Sequence, residues 1–294
     1  MPVTAIVTAY RRIEQTLVTL ARLRACRPPP DEILVHVDGG EEACAEALRR
    51  AHPDLRVIVS RENIGPGGGR NKLVAAAAHE LVASFDDDSY PLDEDYFARL
   101  AAIFRARPDA AVVGSQVFER GAEAGEARPV LWPAVNFLGA GATYRREAFL
   151  ASGGYVPLPI AYGMEEVDLC IRLADRGERI YQSSWLRVYH DTDLAHHGDA
   201  GVTAGSIRNL ALLAYLRYPA RFWPYGALQL GRRLAWLVTA GRLRGIATGL
   251  AGIPAHLWRH RALRSPVRAA TLAAFLKARR APPPAPEPID AQIS

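Results

Sequence analysis

The chain has 294 residues, 49% of them apolar and 23% charged, with a net charge of +5; this is enough to bury a sizeable core and too ordinary a charge load for global disorder. Its three cysteines, Cys26, Cys44 and Cys170, are widely spaced, which argues against a disulfide framework or a CxxC zinc site and fits free thiols in a reducing compartment. The opening MPVTAIVTAYRR lacks the basic lead of a signal peptide, and no run of about 18 apolar residues predicts a membrane span.

In chain order, VTAIVT at Val3–Thr8 predicts a buried strand rich in β-branched residues. Glu14–Ala25 places Leu17, Leu20 and Leu23 at helical spacing. Ile33–Val37 is a second strand, ending at the turn Asp38-Gly39-Gly40, and Glu41–Ala51 a second helix. Leu55–Ser60 is a third strand, followed by a glycine-rich loop, Asn63–Gly69, and a helix at Asn71–His79. Leu81–Phe85 is a fourth strand that ends in three aspartates. This rhythm predicts an α/β fold with a mostly parallel sheet and right-handed crossovers, whose ligands sit at the strands' carboxyl ends. Tyr10, Asp38, Arg61–Asn63 and Asp86–Asp88 all lie just past such ends. Beyond them the pattern predicts a helix at Asp93–Arg107, a strand at Ala111–Phe118, an exposed loop at Glu119–Arg128, a strand at Ala140–Arg145 and a short helix at Arg146–Ala151. A helix at Glu165–Arg176 stops at Gly177, and two short strands, Ile180–Gln182 and Leu186–Tyr189, lead to His190.

Three clusters can carry chemistry. Asp86-Asp87-Asp88 concentrates like charges at a strand end, which folding does not favour. Asp86 and Asp88 can reach one site together, and hard carboxylate oxygens suit Mg2+ or Mn2+; the plainer alternative is a solvated turn or helix cap. Glycines 65 and 67–69 before a helix allow close approach to a phosphate or make a flexible connector. Glu165, Glu166 and Asp168 start a helix, as acids favouring its dipole or as a general base. His190 is a candidate metal ligand or a core histidine. Trp132, Phe137, Tyr155 and Tyr162 are candidates for an acceptor groove or for the core. His196 and His197 have no clear placement.

The stretches IVTAYRR, HVDGG, NIGPGGGRN, SFDDDSYP, GAGATYRREAF, GMEEVDLCIRL and VYH, in this order over residues 3–190, resemble the inverting family 2 glycosyltransferases of the GT-A fold, in particular their rhamnosyltransferase-like branch. The resemblance implies a nucleoside-diphosphate sugar donor, UDP-, dTDP- or GDP-linked, and a glycan, lipid-linked or small-molecule acceptor. It implies that Thr8, Ala9, Tyr10, Arg12 and Asp38 surround the base, and that Asn63, Gly65 and Arg70 line the nucleotide and diphosphate. Asp86 and Asp87 would face the donor, with Asp88, His190 and Asp86 on a Mg2+ or Mn2+ ion. Glu166 stands in the place of the general base, with Asp168 as the second candidate.

The remaining third differs in charge. Arg208–Arg280 holds fourteen of the 36 basic residues and no acid, whereas residues 1–207 keep 22 basic against 29 of the 31 acidic residues, Glu287 and Asp290 lying in the tail. Arginine mixed with Leu, Trp and Phe at helical spacing predicts a basic amphipathic region at a membrane interface, a helical subdomain packed on the core being the alternative. No nucleic-acid motif accompanies it, so no nucleic acid is expected as a partner. The reading is a GT-A domain over 1–200, a basic helical region over 201–280 and a proline-rich disordered tail over 281–294. The expected protein is a cytoplasmic enzyme peripheral to the inner membrane face. Its rivals are a silent nucleotide-sugar-binding scaffold, a nucleotidyltransferase that releases pyrophosphate, and an arginine-rich nucleic-acid binder.

Overall fold

A computed structural model describes residues 1–192 and 199–289; His196, His197 and the last five residues lie outside them. The first half alternates as expected: β1 (Val3–Ala9), α1 (Ile13–Ala25), β2 (Glu32–Val37), α2 (Glu42–Ala51), β3 (Arg56–Val59), α3 (Gly65–Ala76) and β4 (Leu81–Asp86). There follow β5 (Ser89–Pro91), α4 (Tyr96–Ala106), β6 (Ala110–Glu119), β7 (Val130–Ala134), β8 (Ala142–Arg145), α5 (Arg146–Ala151), α6 (Glu165–Arg176) and β9 (Arg179–His190). The appendage is α7 (Ala200–Arg217), α8 (Trp223–Thr239), α9 (Ile246–Ala251), α10 (Ile253–Arg259) and α11 (Ala269–Ala278), and β10 (Glu287–Pro288) closes the chain.

The sheet order is β10-β7-β9-β6-β8-β4-β1-β2-β3. β3, β2, β1 and β4 are parallel, but β8 lies antiparallel between β4 and β6, and β7 and β10 continue antiparallel beyond β9. The parallel run expected over the first four strands is present, and the antiparallel strands lie beyond β4, where a short strand such as ATYR carries no signal of its direction. β6 pairs in parallel with β9, so six strands (β3, β2, β1, β4, β6 and β9) point the same way and end on one edge. The two short strands expected before His190 are one strand with an irregular register near Ser183–Arg187.

β1 is buried throughout and alternates between two cores. Val3, Ala5 and Val7 pack with residues of α1, α2 and α4 on one face, while Ile6 packs with α3, α5 and α6 on the other. That second core also contains Leu212, Leu213 and Leu216 of α7 and Leu272, Phe275 and Leu276 of α11. These two helices are built into the domain, whereas α8–α10 expose Trp236, Leu250 and Trp258. Within the tail, the last described residues lie on the sheet edge. Glu287–Pro288 pairs with Val130–Leu131, the Ile289 N–H donates to the Pro129 carbonyl at 2.7 Å, and Ile289 is buried. An apolar residue beyond the extended proline run thus reaches the sheet edge.

Candidate active site

The shared strand edge opens into a cleft of about 710 Å³. Thr8, Ala9, Tyr10 and Arg12 enter it from the end of β1, Asp38 from β2, and Asn63, Gly65 and Arg70 from the start of α3. Asp86, Asp87 and Asp88 come from β4, His190 from β9, and Glu166 from the first turn of α6. Sequence spacing could not show how residues 86–88 and 190 meet. The Asp86 N–H donates to Ser89 Oγ at 2.7 Å, which turns the chain sharply into β5. β5 then pairs with β9 so that Ser89 faces His190, and the Asp191 N–H donates to the Asp88 carbonyl at 2.8 Å.

His190 Nε2 lies 3.1 Å from Asp88 Oδ1 and 3.9 Å from Asp86 Oδ2. One ligand atom from each of Asp86, Asp88 and His190 falls within 4.8 Å of the others. Ligands on a single octahedral Mg2+-sized ion are about 3–4 Å apart, so a small inward movement fits this set to one divalent cation, and two oxygens with an imidazole suit Mg2+ or Mn2+. Burial works against charge on His190, yet its hydrogen bond to Asp88 and the charges of Asp86 and Asp88 hold the imidazole above its ordinary value. Burial likewise works against the Asp88 carboxylate, but His190 and Arg12 keep it below the usual range.

The middle aspartate, which also lines the cleft, is held by the β1–α1 turn. Asp87 Oδ2 accepts the Tyr10 N–H at 3.3 Å, and Asp87 Oδ1 lies 3.4 Å from Arg12 Nη1, which also binds Asp88. Asp87 therefore ties the β1–α1 turn to the acidic turn, and burial pushes its carboxyl up to about 7 against the pull of Arg12. Asp38 accepts the backbone N–H groups of Ile64 and Gly65, at 3.0 and 2.8 Å, so its carboxylate already occupies the N-terminal end of α3.

Two expectations change on contact with this geometry. The glycine-rich stretch is not a loop but the first turn of α3, and its glycines clear space for protein. Gly65 has φ +72°, and a Cβ there would meet the Leu158 carbonyl oxygen at 1.8 Å; a Cβ on Gly69 would meet His36 Nδ1 at 2.5 Å. Asp168 is not in the cleft. Fully buried, it accepts from Arg172 Nε at 2.9 Å and from Arg217 Nε at 2.5 Å. A carboxylate clamped by two guanidinium groups and closed to solvent cannot collect a proton from an acceptor, so Asp168 is corrected from a catalytic candidate to an anchor between α6 and α7.

Arg70 lines the cleft but is 3% exposed and bonded at all three of its nitrogens. Its Nε donates to Ser84 Oγ at 3.0 Å, Nη1 to Glu165 Oε1 at 2.8 Å and Nη2 to Asp86 Oδ1 at 2.5 Å. Burial lifts the Glu165 carboxyl above the ordinary range, against the pull of Arg70. The sequence places Glu165 in the acidic cluster but not against Arg70; the available signal is that a buried arginine requires carboxylate partners. Glu166, half-buried, accepts the Gly139 N–H at 3.3 Å. Of the four aromatic candidates Tyr162 lines the cleft, while Phe137 and Tyr155 are core residues.

The fold recurs in known proteins. The structure resembles GalNAc-T7 with UDP, GalNAc and Mn2+ (13% identity, TM-score 0.58), covering 75% of this chain and 48% of that one. It resembles the mannosyltransferase PcManGT from Pyrobaculum calidifontis in complex with GDP-Man and Mn2+ (20% identity, TM-score 0.54), covering 94% and 86%. It also resembles S. aureus TarS 1-349 in complex with UDP-GlcNAc (18% identity, TM-score 0.55), covering 73% and 66%. The chain thus spans about half of GalNAc-T7. No curated protein matches the sequence. The family model for glycosyl transferase family 2 matches residues 4–157, just over half of the chain. The chain belongs to glycosyl transferase family 2 and has the GT-A fold.

Proposed function

We propose that this chain transfers a sugar, with inversion, from a nucleoside-diphosphate sugar to an acceptor hydroxyl. The observation that carries the reading is the convergence of Asp86, Asp88 and His190 in one cleft with Glu166 and the turn at Thr8–Arg12. Asp86, Asp88 and His190 would hold Mg2+ or Mn2+, which when bound supplies positive charge beside the departing diphosphate. Thr8, Ala9, Tyr10, Asp38 and Asn63 form the wall for the nucleoside. Arg12 orients Asp88 and Arg70 orients Asp86; Arg70 acts as a positioning residue, since its donors are committed within the protein. Glu166 takes the proton of the acceptor hydroxyl while that oxygen bonds to the anomeric carbon. The bond from carbon to the diphosphate oxygen breaks, and the nucleoside diphosphate leaves with the electron pair. A single displacement inverts the centre and requires no enzyme nucleophile. The motif resemblance favours the rhamnosyltransferase-like branch.

The second part of the reading concerns location. Arg208–Arg280 carries no acid, and α8–α10 with their flanks expose Trp223, Leu228, Trp236, Leu243, Trp258 and Leu263. No helix among the described residues is long and apolar enough to cross a membrane. We infer that this surface lies on an anionic bilayer at its cytoplasmic face, each basic residue near the surface contributing about 1 kcal/mol.

The deciding measurement is release of nucleoside diphosphate from UDP-, dTDP- and GDP-sugars with and without Mn2+. Wild type should turn over one donor class only with the cation, and Asp88→Ala should lose at least about 10³-fold, the several kcal/mol expected of a catalytic metal. Release of pyrophosphate from nucleoside triphosphates, or cation-independent turnover, would remove the proposal.

A further inference from the structure

A second hollow, of about 300 Å³, opens where the appendage meets the domain. Gly163 and Val167 line it from the α6 side, Tyr225, Gln229 and Arg232 from α8, and Arg279 from the end of α11. No Asp or Glu lines it among the described residues. A third guanidinium stands beside it, Arg280 Nη2 donating to the Tyr225 hydroxyl at 2.9 Å. Two exposed arginines from separate helices face one hollow without a carboxylate, so positive charge there is uncancelled. That charge is met when a multiply charged oxyanion enters and accepts from both guanidinium forks.

Its position says which anion. Gly163, with φ +99°, lines both this hollow and the main cleft, and its missing side chain makes room for the Ser206 backbone of α7, 3.1 Å from where a Cβ would stand. Glu166 lines the cleft, and Val167, the next residue, lines the hollow. The hollow is thus next to the cleft, with Gly163 and the Glu166–Val167 pair as their shared border. Outward, Arg232 lies on α8 four residues after Leu228 and four before Trp236, which are 50% and 46% exposed. Residues four apart share a helix face, so the arginine belongs to the same apolar stripe that faces outward.

We propose that this hollow holds the phosphate of a lipid-borne acceptor, gripped by Arg232 and Arg279, with the lipid chain running along the exposed face of α8 and the acceptor hydroxyl presented to Glu166. The placement of the hydroxyl rests on the transferase reading above; the phosphate site itself stands on its own geometry.

The test is binding of dodecyl phosphate, below its micelle concentration, to the full chain in the presence of a chelator, so that no cation-dependent site contributes. Wild type should bind dodecyl phosphate at least tenfold more tightly than either inorganic phosphate or an uncharged dodecyl glucoside. Arg232→Gln and Arg279→Gln should each weaken it about tenfold, and the double variant more, with Tm recorded to confirm folding. Arg244→Gln, which removes the same charge from the appendage outside the hollow, should leave the affinity unchanged. Equal weakening by Arg244→Gln would mean a diffuse electrostatic effect and overturn the site, as would full affinity in the double variant. Equal affinity for inorganic phosphate would overturn its lipid-borne nature. Arginine-dependent binding by a protein that releases no nucleoside diphosphate from any donor would keep the phosphate site and remove the transferase reading; active donor turnover without such binding would remove the site alone.

Discussion

Arginines behave differently in the two halves of this molecule. Around the cleft they are enclosed by carboxylates: Arg70 lies between Asp86 and Glu165, Arg12 binds Asp88, and Arg172 and Arg217 clamp Asp168. Along α8–α10 and their flanks they lie over aromatic rings instead, Arg233 at 4.5 Å from the Trp236 centroid, Arg261 at 3.8 Å from Trp258 and Arg264 at 5.3 Å from Trp223. The difference follows from solvation. A buried guanidinium must have a counter-charge or the fold loses several kcal/mol, whereas one that still reaches solvent, as the half-buried Arg233 and Arg264 and the exposed Arg261 do, needs none. A ring shelters its face and leaves its positive charge uncancelled. The first arrangement fixes geometry at the cleft, and the second leaves a positive, apolar surface available to a partner. Arg217 marks the border: it belongs to the basic segment by sequence and is buried on Asp168 in the structure.

The comparison is broken most severely by exchanging two neighbouring acids of α6. Glu166→Gln should lower kcat by about 10²–10⁴-fold, the usual contribution of a general base, and leave Tm within about 1 °C. Asp168→Asn should do the reverse. It leaves Arg172 and Arg217 without their buried counter-charge, at about 3–5 kcal/mol, and lowers Tm by about 10 °C. Kinetics and thermal unfolding of the two variants side by side would separate the roles. An Asp168→Asn protein of unchanged Tm would mean that the clamp contributes nothing.

A smaller effect is expected from His36, which is buried and lines the cleft floor beneath α3, with Nε2 2.7 Å from Ser60 Oγ. Burial lowers its pKa to about 4, below the ordinary 6.5. The folded state thus favours the neutral ring, and the stability this gives is full above pH 6.5 and lost as pH falls to about 4, on the order of 3 kcal/mol. Urea unfolding at pH 7.5 and pH 4.5 should show a steeper acid loss in wild type than in His36→Gln. Parallel losses would exclude His36 as the source.

Much of the cleft was legible because its residues lie at strand ends, and strand ends follow from hydrophobic period and turn residues. Tyr10, Asp38, Arg61–Asn63 and Asp86–Asp88 all follow such ends in the sequence. The pairing partners were not legible. Nothing in MEEVDL distinguishes Glu166, which faces the cleft, from Asp168, whose partner Arg217 is 49 residues away. The glycines of α3 read as a loop because glycine disfavours helix, yet tertiary clearance against His36 and Leu158 overrode propensity. Strand direction beyond β4 was equally hidden, since alternation is the same for parallel and antiparallel neighbours. In the appendage, composition gave charge and helicity, but the split between α7 and α11, which supply buried core residues, and α8–α10, which rest against that core and expose most of their large apolar side chains, depends on packing alone.

That split yields the smallest predicted effect on the fold and the most direct test of the outer surface. Trp258 is 68% exposed, so Trp258→Ala should leave Tm unchanged. On anionic vesicles its indole would move from water to the interface, and its loss should weaken partitioning about tenfold. Phe275 of α11 is 4% exposed and part of the core, so Phe275→Ala should cost about 3–5 kcal/mol of stability. Vesicle sedimentation at matched fractions of folded protein would then show a deficit for Trp258→Ala alone. Binding that depends on anionic lipid and weakens with salt, but does not respond to Trp258→Ala, would reduce this surface to a purely electrostatic one, because insertion of the ring and attraction of the arginines differ in that salt screens only the second.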